Sequence, residues 1–85
     1  MKIETVLANP KLTVFEKKLW RAIAKRIDNK KMGLVPCRIS HWTGIERTRI
    51  HRKLNNGGLN ALDIEILTEV FGLATHFKLK KWDLD

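Results

Sequence analysis

The 85-residue chain has no tyrosine, only two prolines and a single cysteine, Cys37. A lone cysteine excludes an internal disulfide framework and suits a reducing compartment, so the expected location is the cytoplasm. No apolar run approaches the roughly 20 residues that a membrane-spanning helix needs. The start, MKIETVLANPKL, lacks the apolar segment of a secretory signal. Paired carboxylates, a nucleophile–base set and a phosphate-cradling glycine loop are all missing, so no enzymatic activity is expected. Acidic residues are scarce where basic ones crowd. Between Lys17 and Lys53 stand twelve Lys and Arg against Asp28 and Glu46 alone, a net +10 in a chain of net +8. Such a field attracts polyanions and speeds their association.

The length allows one domain, 1–85, with a core small enough that a homodimer would enlarge it. Residues 1–11 read as an arm or short strand closed by Asn9-Pro10. Thr13 and Glu16 have the spacing of a capping box. The series Leu12, Phe15, Leu19, Ala22, Ile23, Ile27 then predicts a helix over 14–27, with Lys17, Lys18, Arg21 and Lys25 off the apolar stripe. A polar break over 28–33 follows. Pro36 suits the first turn of a second helix, Ile39 is its buried side, Trp42 lies at its end and Gly44 breaks it. A third helix runs over 46–54 with Ile50 and Leu54 inward, ended by Asn55-Asn56-Gly57-Gly58. Asn60 is a good N-cap for a fourth helix, with Leu62, Ile66, Leu67, Val70 and Phe71 as its apolar residues and Gly72 as its C-cap. Over 75–82 the alternation Phe77, Lys78, Leu79, Lys80 suits a short strand, a candidate dimerisation element. Trp20, Trp42 and Trp82 read as core or interface packing. The fold class is mainly α, four to five helices.

Within 36–55, two short helices meet at a glycine turn and the second carries basic side chains, the plan that places a helix in the DNA major groove. Ser40, Gly44, Ile45, Ile50, the Asn55-Asn56-Gly57 loop and the segment NALDIEILTEVFGL resemble the phage repressor and Cro-like helix-turn-helix family. GIERTRIHRKLN is also similar to the DNA-reading end of Fis-type proteins, through Gly44, Ile45, Arg47, Lys53 and Leu54. Thr43 departs from the family, which usually has an aliphatic residue before the glycine, and Lys53 stands where many members are apolar. The resemblance implies a lambda repressor-like domain. It also implies a phage or prophage transcriptional regulator that binds double-stranded DNA as a homodimer at a two-fold operator. Two other readings remain beside it: a Fis-like architectural DNA protein, and a protein-binding antirepressor or antitoxin-like module.

On the DNA-binding reading, the outward set on the third helix is Glu46, Arg47, Thr48, His51 and Arg52, expected to meet base edges. Arg suits guanine, Thr a thymine methyl and Glu cytosine. Arg49 and Lys53 are expected on phosphates. Further phosphate contacts are expected from Cys37 and Arg38 at the start of the second helix, where free N–H groups favour an anion. Asn55, Asn56, Lys31 and His41 complete that set. Cys37, His41 and His51 fall short of the four closely spaced ligands usual for zinc. No metal, cofactor, small-molecule ligand or membrane partner is expected.

Overall fold

The computed structural model describes residues 1–73, and the helices follow the order α1 (Ile3–Leu7), α2 (Val14–Ile27), α3 (Pro36–Thr43), α4 (Arg47–Asn56) and α5 (Ala61–Val70). The chain is mainly helical. No strand occurs among the described residues, where the one β-type contact is an isolated antiparallel bridge between Lys2 and Gly33. The strand expected over 75–82, and Trp82 with it, lie outside the described residues.

The N-terminal stretch is neither an arm nor a strand. Ile3 and Val6, one helical turn apart, are both buried, and α1 packs on α2. Five residues cannot hold a helix in water alone, so α1 owes its form to that docking. The Met1 backbone nitrogen donates to the Leu34 carbonyl (2.8 Å), and the Leu34 N–H donates back to the Met1 carbonyl (2.7 Å), which pins the segment's start.

In α2 the capping box is complete: the Glu16 N–H donates to the Thr13 hydroxyl (3.1 Å) and the Thr13 N–H to the Glu16 carboxylate (2.9 Å). The second Glu16 oxygen accepts the Leu59 N–H (3.1 Å), so one carboxylate ties the start of α2 to the connection between α4 and α5. Burial pushes the Glu16 carboxyl up, but donation by the Thr13 and Leu59 N–H groups and the Thr13 hydroxyl outweighs it, and the group lies below its ordinary value.

The core is formed by Ile3, Val6, Leu12, Leu19, Trp20, Ile23, Ala24, Leu34, Ile39, Ile50, Leu54, Leu67 and Leu73. Trp20 is fully buried with its Nε1–H unpartnered among the described residues. On α5 the buried face differs from the expected one. Leu67 is buried and Phe71 half-buried, as read, but Leu62 is 59% and Val70 44% exposed, while Asp63 and Thr68 turn inward. Both inward polar groups are satisfied. The Thr68 hydroxyl donates to the Ile64 carbonyl (2.8 Å), and Asp63 meets Arg49 of α4. Gly72 lies one residue beyond the C-cap, Phe71, with φ 65°.

Candidate nucleic-acid interface

The α3–α4 turn is built locally. Gly44 takes the left-handed conformation (φ 77°, ψ 0°), and its N–H donates to the Ser40 carbonyl (2.9 Å). The departure at Thr43 has a physical role. Its hydroxyl donates to the Ile39 carbonyl (2.7 Å) and accepts the Ile45 N–H (3.1 Å), closing the turn by hydrogen bonds where an aliphatic side chain would close it by packing. Ile39, Ile50 and Leu54 are buried in the core, and the half-buried Ile45 packs against that core.

The far end of α4 is held from a distance. The Asn9 amide donates to the Asn55 carbonyl (2.7 Å) and to the Leu54 carbonyl (3.4 Å), satisfying C-terminal groups that a helix leaves free. Gly57 then adopts φ 76°, ψ −157°, and a Cβ there would stand 2.8 Å from the Lys11 carbonyl oxygen. No side chain but hydrogen fits.

Between these fixed ends, α4 sorts its basic residues into two groups. Glu46, Arg47, Thr48, His51 and Arg52 are exposed, as the spacing predicts. Arg47 and Arg52 have no ion-pair or hydrogen-bond partner among the described residues. At the start of α4, Glu46 is the N-cap residue but makes no side-chain cap. Its carboxylate instead accepts the Thr48 hydroxyl (2.9 Å), so these two side chains lie together.

Two residues expected on phosphates have partners within the domain. Arg49 Nη2 lies 3.0 and 3.1 Å from the two oxygens of Asp63, whose side chain is 3% exposed. The Lys53 ammonium donates to the Gly58 carbonyl (2.7 Å). The cause is position around the helix. Arg49 and Lys53 are one turn apart and both lie beside the buried Ile50 and Leu54, within reach of α5 and the loop before it.

The remaining residues of the expected phosphate set divide similarly. A groove lined by Val35, Pro36, Cys37, Arg47, Thr48 and His51 brings the start of α3 against the open face of α4, so Cys37 does share a surface with three of the expected base readers. The Arg38 guanidinium lies over the Trp42 ring, 5.1 Å from its centroid, and Trp42 meets Phe71 edge-on at 5.9 Å. Trp42 is therefore a half-open shelf for Arg38 rather than a core residue. His41 is exposed on α3. Lys31 is exposed in a turn organised by Asp28, whose carboxylate accepts the Lys31 (3.1 Å) and Lys30 (3.0 Å) N–H groups and is held below its ordinary range by them. Asn56 accepts from the Lys11 ammonium (3.4 Å). Asn55 turns back onto its own helix, donating to the His51 carbonyl (2.9 Å) and lying 3.1 Å from His51 Nδ1.

Sequence reasoning did not find Asn9, Glu16 and Asp63 as supports of this surface. Asp63 left a faint trace, as the acidic residue three positions after the cap Asn60, which accepts the Asp63 N–H (2.8 Å). Asn9 left none, since its partners are 45 and 46 residues away. No helix among the described residues is long and apolar enough to cross a membrane. Comparison with protein-family models, with curated proteins and with solved structures finds no match.

Proposed function

We propose that this chain is a sequence-specific, double-stranded DNA-binding transcriptional regulator of the phage repressor and Cro type. In this reading α4 enters the major groove and Arg47, Thr48, His51 and Arg52 read base edges, with Glu46 alongside. Backbone contacts come from the start of α3, at Cys37 and Arg38, and from His41 and Lys31. The observation that carries the reading is the sorting of charge on α4. Arg47 and Arg52 stay open on one face while Arg49 and Lys53 fasten the other face to the body of the domain. A helix fixed on one side and cationic on the other suits a polyanion.

The regulator acts as a homodimer on a two-fold operator. Support for self-association comes from α5, where Leu62 and Val70 leave apolar surface open beside the acidic Glu65 and Glu69. Selection of bound sequences from random duplex DNA near physiological salt tests both parts. The expected result is a two-fold motif with half-sites about one helical turn apart. Binding with no recovered motif would favour the architectural reading, and absence of binding would favour a protein partner.

A further inference from the structure

The contact between Asn55 and His51 decides which ring nitrogen of His51 carries the proton. A backbone carbonyl only accepts, so the atom of Asn55 that lies 2.9 Å from the His51 carbonyl oxygen is the amide nitrogen; an amide oxygen there would face a second acceptor. The same amide nitrogen lies 3.1 Å from His51 Nδ1. An amide nitrogen only donates, so Nδ1 must accept and therefore carries no hydrogen in the neutral ring. The proton sits on Nε2. Asn55 has two N–H bonds, enough for both contacts.

We infer that Asn55 is a positioning residue that holds His51 as a donor-only reader of the major groove, an inference that rests on the DNA-binding reading for its target. With Nδ1 engaged, neutral His51 presents one N–H outward and no free lone pair. It complements a base that offers an acceptor at that place, such as guanine through O6 or N7, and opposes the cytosine N4 amino group. His51 belongs to the groove that also contains Arg47 and Thr48, so its donor lies on the same surface as theirs. The assignment gives Asn55 a role other than phosphate contact. Its side chain selects the chemistry of its neighbour.

The test uses the whole chain and two readouts. Nitrogen-15 spectroscopy at about pH 8, above the ordinary imidazole range, reports which ring nitrogen is protonated, and His51→Gln identifies the His51 signals. The expected result is a bare Nδ1 in the wild type. In Asn55→Asp the carboxylate can only accept, so it turns from the His51 carbonyl toward the ring and the proton should move to Nδ1. A protonated wild-type Nδ1, or a bare Nδ1 in both proteins, overturns the inference.

Duplex selection with wild type, His51→Ala and Asn55→Asp then reads specificity. His51→Ala marks the base position that depends on His51. There the wild type should favour an acceptor-bearing base over cytosine by roughly two- to tenfold, the worth of one hydrogen bond, and Asn55→Asp should erase or reverse that preference. An unchanged preference overturns the base readout. Wild-type protein that binds no duplex, with the ring protons as expected, overturns the readout through the functional reading and leaves the Asn55–His51 lock standing.

Discussion

Arg47 and Arg49 are the same residue two positions apart on one helix, yet the first is open to solvent and the second is bound to a buried aspartate. Lys53 and Arg52, adjacent in sequence, repeat the contrast. The difference shows that the charge of a helix does not count the cations it leaves open to solvent. A cation beside the apolar seam meets the domain's own acceptors and becomes part of the scaffold. A cation on the far side keeps its donors for a partner. The closed side of α4 is fixed by Arg49–Asp63, Lys53–Gly58, the Asn9 cap and the Gly57 turn, whereas among the described residues the open side has only the Glu46–Thr48 and Asn55–His51 pairs.

The strongest way to break the closed side is Gly57→Ala. The backbone there (φ 76°, ψ −157°) is essentially confined to glycine, and the new Cβ would meet the Lys11 carbonyl at 2.8 Å. Strain and overpacking together should cost about 3 kcal/mol or more. The thermal midpoint should fall by roughly 12 °C or more, and a fall of a few degrees would mean the turn relaxes freely.

Next comes the direct contrast of Arg49→Met with Arg47→Met. Arg49→Met leaves the Asp63 carboxylate buried without its partner; the Arg49 side chain is 41% exposed and partly screened by water, so the expected loss is about 2 kcal/mol of stability. Arg47→Met should leave the melting temperature within error and, on the proposed DNA-binding reading, cost about 1–3 kcal/mol of DNA affinity. Equal effects of the two changes on melting would erase the distinction between the faces.

A smaller effect follows from Glu16. Its carboxyl is depressed in the folded chain, so it binds protons more weakly than in the unfolded chain. Its contribution is then present above the ordinary glutamate value, about 4.3, and is lost as pH falls through the folded value. Glu16→Gln should be less stable by about 1 kcal/mol at neutral pH, with the gap to wild type closing as the solution is acidified. A constant gap across a denaturant series from neutral pH to about pH 3 would contradict the role given to the ionised group.

Gly44→Ala should cost far less than Gly57→Ala. An added Cβ there meets nothing within 4 Å, so only the left-handed backbone (φ 77°) resists it, at about 1 kcal/mol. The two glycines flanking α4 thus separate conformation from space, and similar losses at both would remove that separation.

The elements most legible in the sequence were those whose boundaries are local. Thr13 and Glu16 fixed the start of α2, Pro36 the first turn of α3, and Gly44 its end, each acting within a turn of its own position. The outward set on α4 followed from Ile50 and Leu54 facing inward. What escaped depends on distant partners. Five residues of α1 are helical because α2 receives them. α5 carries apolar residues around most of its circumference, so the face chosen from periodicity included the exposed Leu62 and Val70, and the buried Asp63 meeting Arg49 marks the face that turns inward. The fates of Arg49 and Lys53 were set by groups on α5 and before it, which spacing within α4 does not report.

The Thr43 hydroxyl has a consequence for temperature. Apolar contacts lose strength as water cools, whereas hydrogen bonds within the chain do not share that dependence. The end of α3 and the turn after it, stitched through Ile39, Thr43 and Ile45, therefore depend less on warm water for their closure than a turn closed by an aliphatic side chain would.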